Sequence, residues 1–510
     1  MAFEEQLKEL ARRREFTLEM GGPEKLAARR AEGVLNARER IERLFDAGTF
    51  LESGMFAVSS RLEDRDSTPA DGKVAGFGRI EGREAAAVSN DFTVKGASSA
   101  NTNIKKLKHI KQTARRRGLP IVFLGESTGA RMPDVMGAGS IGSKDDPTEY
   151  LRMRETPWAA AVLGHCYGSS AWYASMSDFT VMRKGAVMAV SSPRLTSLAI
   201  NEKVDPEELG GWRVHTGVSG IVDLAVDSDE AAIDAIRRFL SYLPSNHTLP
   251  PPRSAVPLGS GAHAERILEI LPESAHKVYD VRKIIECVVD DGSLFELKAR
   301  FGRAVVTALA RLGGRSVGII ANNPVFKGGA IDVDACRKVV SFIVLCDSFN
   351  VPLVFMADQP GFLIGKEGEK LAVTGKVMNW LNAMSLVTVP KLALVLRKSY
   401  GLAVSNMGAG GNADELAAWV TADVSFMKPE FGATVVFGVR PEDGAERFAE
   451  AVAKMSRGTT AYDMAGVYTA HAVVDPRDTR DYLIRMLEVH ELRLSAGVGE
   501  HLMRTWPTTQ

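Results

Sequence analysis

Arg79–Gly129, RIEGREAAAVSNDFTVKGASSANTNIKKLKHIKQTARRRGLPIVFLGESTG, lies without a gap on Arg311–Gly361, RLGGRSVGIIANNPVFKGGAIDVDACRKVVSFIVLCDSFNVPLVFMADQPG, when the chain is slid by 232 positions. Arg79, Gly82, Arg83, Asn90, Lys95, Gly96, Lys106, Pro120, Val122, Phe123 and Gly129 all meet their own kind. The order of events repeats as well: a Gly-Arg turn, an apolar strand, an Asn, a Lys-Gly step, a helix, Pro, a second strand, then Gly. Upstream, Arg40–Glu52 parallels Ile284–Glu296; downstream, Val162–Gly168 parallels Val395–Gly401. The period is far longer than that of a solenoid. It means two like-folded domains, and a duplicated domain can build one site from two related halves. Within each copy the pattern strand, helix, strand predicts βα units and a largely parallel α/β sheet. Ala85–Ser89 and Pro120–Leu124 read as strands around a helix over Asn103–Arg117. Ser316–Ala321 and Pro352–Met356 do the same around Val333–Phe349, and Lys391–Leu396 is a further strand.

Proline clustering over Pro244–Pro257 removes backbone donors and favours extended chain. It falls between the copies, so the expected division is residues 1–245, a linker over 246–262, and residues 263–510. The 510 residues carry 63 basic and 63 acidic side chains, which argues against nucleic acid as a partner. No apolar run reaches the roughly 18 residues of a membrane span and no signal pattern is present, so the expected address is cytoplasmic. Cys166, Cys287, Cys336 and Cys346 stand apart without C-x-x-C spacing and read as buried, reduced thiols.

Chemistry concentrates in a few segments. Gly125–Arg131 follows a strand, and its counterpart is Ala357–Phe362. Small residues there let backbone amides face an anion. Tyr167-Gly168-Ser169-Ser170 and Tyr400-Gly401-Leu402-Ala403 sit at equivalent places, where amides suit an oxyanion. Lys108, Lys111 and Arg115, with Lys105 a turn earlier, share helical spacing and form a candidate phosphate face. No nucleophile triad, H-E-x-x-H, P-loop or dinucleotide fingerprint stands out, and no metal is expected. His165 beside Tyr167 reads as structural.

At these residues the chain resembles the carboxyltransferase (β) subunit of biotin-dependent acyl-CoA carboxylases, such as propionyl-CoA carboxylase. The likeness runs over nearly the whole chain. It is carried by Ser89–Val94, Ser127–Arg131, Ser177–Phe179, Tyr279–Arg282, Asp290–Gly292, Gly314–Asn322, Cys346–Asn350, Pro360–Gly365, Arg397–Gly401 and Asp475–Arg480. The resemblance implies two tandem crotonase-like α/β domains. It implies transfer of a carboxyl group from carboxybiotin to the α-carbon of a short-chain acyl-CoA through a thioester enolate. By family match, amides around Thr128, Gly129 and Ala130 serve the thioester, and those around Leu402 and Ala403 serve biotin. Lys95, Gly96, Lys105, Lys108 and Arg131, with Tyr167, Gly168 and Ser169, are the expected acyl-CoA contacts. Pro360, Gly361 and Phe362, with Tyr400, Gly401 and Ser405, are the expected biotin contacts. The resemblance also implies a site shared by the first domain of one subunit and the second of another, a homo-oligomer that is often a hexamer, and biotin on a separate carrier protein. The sequence has no Met-Lys-Met biotinylation motif and no ATP-grasp region, so carboxybiotin is expected from a biotin carboxylase partner.

Four departures stand out. Thr128 and Leu402 replace family glycines, Ser405 replaces a frequent Asp, and Phe426–Ala433 differs from the usual Met-Gly pattern. They leave the acyl group open. Three rival readings follow: a decarboxylase or transcarboxylase subunit on the same fold, a non-catalytic assembly subunit, and a hydratase or isomerase using Glu126 and Asp358.

Overall fold

The structure is a computed structural model that describes residues 3–137, 150–274, 277–491 and 501–506. The chain divides between His247 and Thr248 into two units.

In the first unit the strands are β1 (Leu51–Glu52), β2 (Lys73–Ile80), β3 (Arg83–Asn90), β4 (Ile121–Ser127), β5 (Trp158–Tyr167), β6 (Phe179–Arg183), β7 (Val187–Ala189) and β8 (Leu224–Val226). They form one sheet in the order β1-β2-β3-β4-β5-β6-β8, with β7 on the end of β5. β1, β2 and β3 pair antiparallel; from β3 onward every pairing is parallel. The second unit repeats this with β9 (Phe295–Leu297), β10 (Val305–Leu312), β11 (Arg315–Asn322), β12 (Leu353–Gln359), β13 (Lys391–Tyr400), β14 (Glu415–Trp419), β15 (Asp423–Ser425) and β16 (Ala472–Val474). The parallel α/β expectation therefore holds, with an antiparallel hairpin at one edge of each sheet.

Register preserves the duplication to the residue. Lys73 faces Asn90 across β2–β3, and Val305 faces Asn322 across β10–β11. The crossover helices, Asn101–Arg117 and Val333–Ser348, end alike. Gly118 (φ 68°) and Asn350 (φ 59°) both turn left-handed there, a conformation that glycine and asparagine tolerate best. The segment Ala159–Tyr173 resolves into strand β5 and then helix Ser169–Met176.

Each sheet buries its own core. Val88, Ile110, Ile121, Phe123, Trp158 and Val162 cluster in the first unit. Ile284, Ile319, Val354, Met356, Leu392 and Leu394 cluster in the second. The proline-rich segment past Thr248 is not a free tether. Ser254 donates its N–H to Gly314 O (2.9 Å) and Asn350 Nδ2 donates to Leu249 O (2.9 Å), so it lies along the second unit. All four cysteines are buried free thiols, and burial pushes Cys166 and Cys336 up to about 12.

Candidate active site

In the first unit the turn after β4 is built against the turn after β3. Lys95 (φ 49°), Gly96 (φ 60°) and Ala97 (φ 50°) form a left-handed run. A methyl on Gly96 would lie 2.7 Å from Thr128 Cγ2, so glycine there makes room for the Thr128 side chain. The two turns are then stitched together: Thr128 N–H donates to Gly96 O (3.0 Å), Ser99 N–H to Gly129 O (2.8 Å) and Arg131 N–H to Ser99 O (2.8 Å). Gly129 (φ 104°) donates its N–H to Ser127 Oγ (3.1 Å).

This stitching reassigns the amides expected from sequence. Thr128 and Gly129 spend their N–H groups holding the turn. Among the described residues, Ala130 N–H has no protein acceptor, which leaves it available to a ligand. A methyl on Gly168 (φ 64°) would lie 3.8 Å from Gly129 Cα, so the first turn of helix Ser169–Met176 adjoins the same spot. Ser169 Oγ meets Ser99 Oγ at 2.9 Å.

The second unit answers piece by piece. Lys327, Gly328 and Gly329 repeat the left-handed run (φ 51°, 64°, 86°). Ile331 N–H donates to Gly361 O (3.1 Å) and Leu363 N–H to Ile331 O (2.8 Å). Pro360, at the place of Thr128, has no N–H to commit. Gly361 (φ 121°) donates to Gln359 Oε1, and the partly buried Phe362 keeps a free N–H among the described residues. Gly401 (φ 68°) donates to Ser425 O (3.1 Å), while Leu402 and Ala403 have no acceptor among the described residues. Leu402 lies at φ −65°, ψ −17°, a conformation any side chain adopts, so replacing glycine there leaves the amide in place. Tyr400 is buried with its hydroxyl donating to Asp423, and Ser405 is half-buried.

Several expected contacts have other work. Arg131 is 6 % exposed; its Nη1 meets Asp71 Oδ1 at 2.7 Å and its Nε lies 3.4 Å from Ser98 Oγ. It anchors the turn from behind. The basic helix face is broken: Lys111 is 2 % exposed above the Tyr173 ring, and Arg115 is bound to Glu155 at 2.7 Å. Lys105 is exposed and Lys108 half-buried, so those two and Lys95, exposed beside Asp64 (3.4 Å), remain at the surface. Tyr167 is buried, with His165 Nδ1 3.0 Å from its hydroxyl.

The strand-end carboxylates are locked. Glu126, 1 % exposed, is held by Arg29 (2.5 Å) and by Arg40 (3.0 Å), which also grips Asp229 (2.8 Å). Asp358 accepts from Tyr279 Oη (2.8 Å) and is paired with Arg397 (3.1 Å) and Lys398 (2.6 Å). Both carboxylates are buried and already paired with cations, so neither is open to a substrate as a hydratase's acid–base groups must be.

What these turns offer is backbone dipoles at the ends of central parallel strands, the arrangement that stabilises a developing oxyanion. The family described as "Carboxyl transferase domain" matches residues 28–496. The chain belongs to the carboxyl transferase family. This carboxyltransferase is 33% identical over 506 residues to the propionyl-CoA carboxylase carboxyltransferase subunit of Haloferax mediterranei, covering 96% of each chain. It is 34% identical over 498 residues to the methylmalonyl-CoA carboxyltransferase 12S subunit of Propionibacterium freudenreichii subsp. shermanii, covering 96% of this chain and 94% of the other. Its fold superposes on a transcarboxylase 12S crystal structure, described as a hexamer with methylmalonyl-CoA and methylmalonic acid bound, with a TM-score of 0.89 at 33% identity and 96% coverage of both chains. The protein is thus a biotin-dependent acyl-CoA carboxyltransferase with two crotonase-like units. No helix among the described residues is long and apolar enough to cross a membrane.

Sequence reading missed Lys73, and missed that the side chains of Asn90 and Ser170 join it behind the first turn. The signal was present: sliding the chain sets Lys73 on Val305, a charge against an apolar residue.

Proposed function

We propose that the first unit receives the acyl-CoA thioester and the second unit the biotin ring. Ala130 N–H and the first-turn amides of Ser169 and Ser170 face the thioester oxygen; Leu402 and Ala403 N–H face the ureido oxygen. The observation that carries this is the pair of equivalent turns, each leaving uncommitted amides at the ends of central strands. The residues of the second turn fit a biotin ureido group, because a neutral carbonyl that gains negative charge needs N–H donors and no cation. Biotin, when bound, supplies the carboxyl group and the base for the α-proton. The chain's own task is to hold the thioester so that its α-carbon is in reach, and to hold the charge on its oxygen as the enolate forms.

The acyl group is short, propionyl or methylmalonyl, in keeping with the names of the relatives. The partners are a biotin carboxyl carrier charged by a biotin carboxylase, and further copies of this chain in a hexamer, in the cytoplasm. A transcarboxylase or decarboxylase direction uses the same groups, because the chemistry is reversible and the carrier sets its course. The changes at Thr128 and Leu402 do not silence the site: one amide is committed to the turn whatever its side chain, and the other keeps helical geometry.

The test is biotin-dependent release of acyl-CoA from malonyl- and methylmalonyl-CoA by the purified chain with free biotin. Release from methylmalonyl-CoA above malonyl-CoA is the expected result. Equal or reversed preference would overturn the acyl assignment, and release without biotin would overturn the biotin site.

A further inference from the structure

Behind the first unit's turn lies a cavity of about 20 Å³, lined by Lys73, Asn90, Gly125, Ser169, Ser170 and Tyr173 among others. It has room for about one water. Lys73 is 4 % exposed and donates from Nζ to Asn90 Oδ1 (3.1 Å). An ammonium has three protons to place, and this space adjoins it. With its oxygen taken by the lysine, Asn90 must aim Nδ2 the other way. It donates to Glu126 O (2.9 Å) and to Ser170 Oγ (3.1 Å). Ser170 is in the first turn of the helix that adjoins Gly129.

The second unit keeps the asparagine but not the relay. Val305 replaces Lys73, Ala403 stands where Ser170 stands, and Asn322 has its amide the other way round, accepting from Asp358 N–H (3.2 Å) with a buried Nδ2 left unpartnered. The difference lies in one unit only, so it is not required by the fold.

We infer that Lys73 is a positioning residue for the thioester enolate: its ammonium orients Asn90, Asn90 orients Ser170 and the helix turn beside Gly129, and the buried charge sets a positive potential beneath the oxyanion donors. This rests on the acyl-side assignment made above. A charge in a low-dielectric interior acts over several ångströms with little screening. The groups facing Lys73 are Asp71 from the turn before β2, Arg131 from the turn after β4, Cys166 from β5 and Lys106 from the crossover helix. Asp71 is neutralised by Arg131 (2.7 Å), and the Cys166 thiol is held protonated by burial. Desolvation pulls Lys73 down to about 8, so its charge is present at neutral pH and lost just above it.

The experiment compares wild type, Lys73→Met and Ser170→Ala in biotin-dependent carboxyl transfer from pH 6.5 to 9.5. Lys73→Met is expected to lower kcat about tenfold or more at pH 7, with KM for the thioester within about threefold. The gap closes as pH passes about 8, because wild type loses the ammonium there. Ser170→Ala keeps the charge and loses a smaller, pH-independent factor. A second readout needs no turnover: calorimetric binding of a CoA thioether ending in a nitronate, which carries an enolate's charge. Wild type should weaken above pH 8, and Lys73→Met should be weak and flat. If Lys73→Met does not fold, the pH dependence of wild-type nitronate binding and the loss in Ser170→Ala decide. A kcat within twofold of wild type, or a deficit constant across pH, overturns the role of Lys73. A change in biotin dependence with nitronate binding intact overturns the acyl-side assignment instead, and the inference with it.

Discussion

The two units share a frame and differ in what they bury. Both anchor the crossover helix with one lysine: Lys106 Nζ donates to Lys73 O, and Lys338 Nζ donates to Val305 O (2.8 Å). Beyond that anchor they part. The first unit buries Lys73 and Lys111 where the second buries Val305 and Ile343. Behind the turn, Arg131 grips Asp71 in the first unit; the second has Leu363 and Arg303, the latter stacked 3.7 Å from the Phe326 ring centroid. Hydrogen-bond register and left-handed turns define the fold, then, while the polarity beneath the turns is adjustable. The adjustment is not neutral, because each buried charge costs desolvation that its partner only partly offsets. The unit proposed to hold an enolate is the one that carries these costs.

The largest expected effect breaks the comparison at its deepest ion pair. Arg131→Ala leaves Asp71 buried, where desolvation already raises its pKa despite the guanidinium. Removing one partner of such a pair costs about 3–5 kcal/mol. Leu363→Ala, at the equivalent place and 38 % exposed, should cost below about 1 kcal/mol. Amide hydrogen exchange resolves the units separately: protection should fall across β2–β5 in Arg131→Ala and stay unchanged across β10–β13 in Leu363→Ala. Equal losses in the two variants would mean that the turns, not the charges beneath them, set local stability.

Next in size is a pH dependence carried by two buried lysines of the first unit. Desolvation lowers Lys73 and Lys106 to about 8, from 10.5. Between those values the unfolded chain binds more protons than the folded one, so stability rises with pH across that window. Each lysine can contribute up to about 3 kcal/mol over the full span. Lys73→Met should therefore be more stable than wild type at pH 7, and the difference should shrink as pH approaches 10. A denaturation series that shows a constant difference would mean that Lys73 binds its proton equally in the folded and unfolded chain, so that burial does not destabilise its charged form. Greater stability combined with slower transfer would sharpen the contrast between the units, since the buried ammonium would then serve the reaction at the expense of the fold.

Much of this was legible in the sequence because duplication is a positional signal. Matching Gly96 with Gly328 and Gly129 with Gly361 located both turns, and the structure gives each pair left-handed φ. Strand and helix order followed from apolar runs, which record burial directly. What stayed hidden was side-chain direction. Lys111 and Arg115 have the spacing of a basic face, yet one turns inward above Tyr173 and the other pairs with Glu155. Spacing gives the face of a helix, not whether a neighbour covers it. Likewise the run Thr128-Gly129-Ala130 offers three amides on paper. Which of them is spent depends on Gly96 O, in a turn some thirty residues away, and on Ser127 Oγ, two residues before Gly129.

The smallest effect concerns the two substituted glycine positions, and it separates side-chain identity from backbone geometry. Thr128 N–H is already committed to Gly96 O, and its Oγ1 adds only a long contact to the same oxygen (3.3 Å). Thr128→Gly therefore removes an exposed side chain without freeing an amide. Leu402 has helical dihedrals and a 60 % exposed side chain, so Leu402→Gly leaves its N–H where it was. Surface changes of this kind stay within about 0.5 kcal/mol, which corresponds to roughly a twofold change in rate. Carboxyl transfer by either variant should match wild type within that factor. A large gain in Thr128→Gly alone would mean that the threonine obstructs the thioester. A large loss in Leu402→Gly alone would mean that its exposed side chain packs on the ligand or the carrier. Either asymmetry would move specificity from the buried relay to the rim of the turn.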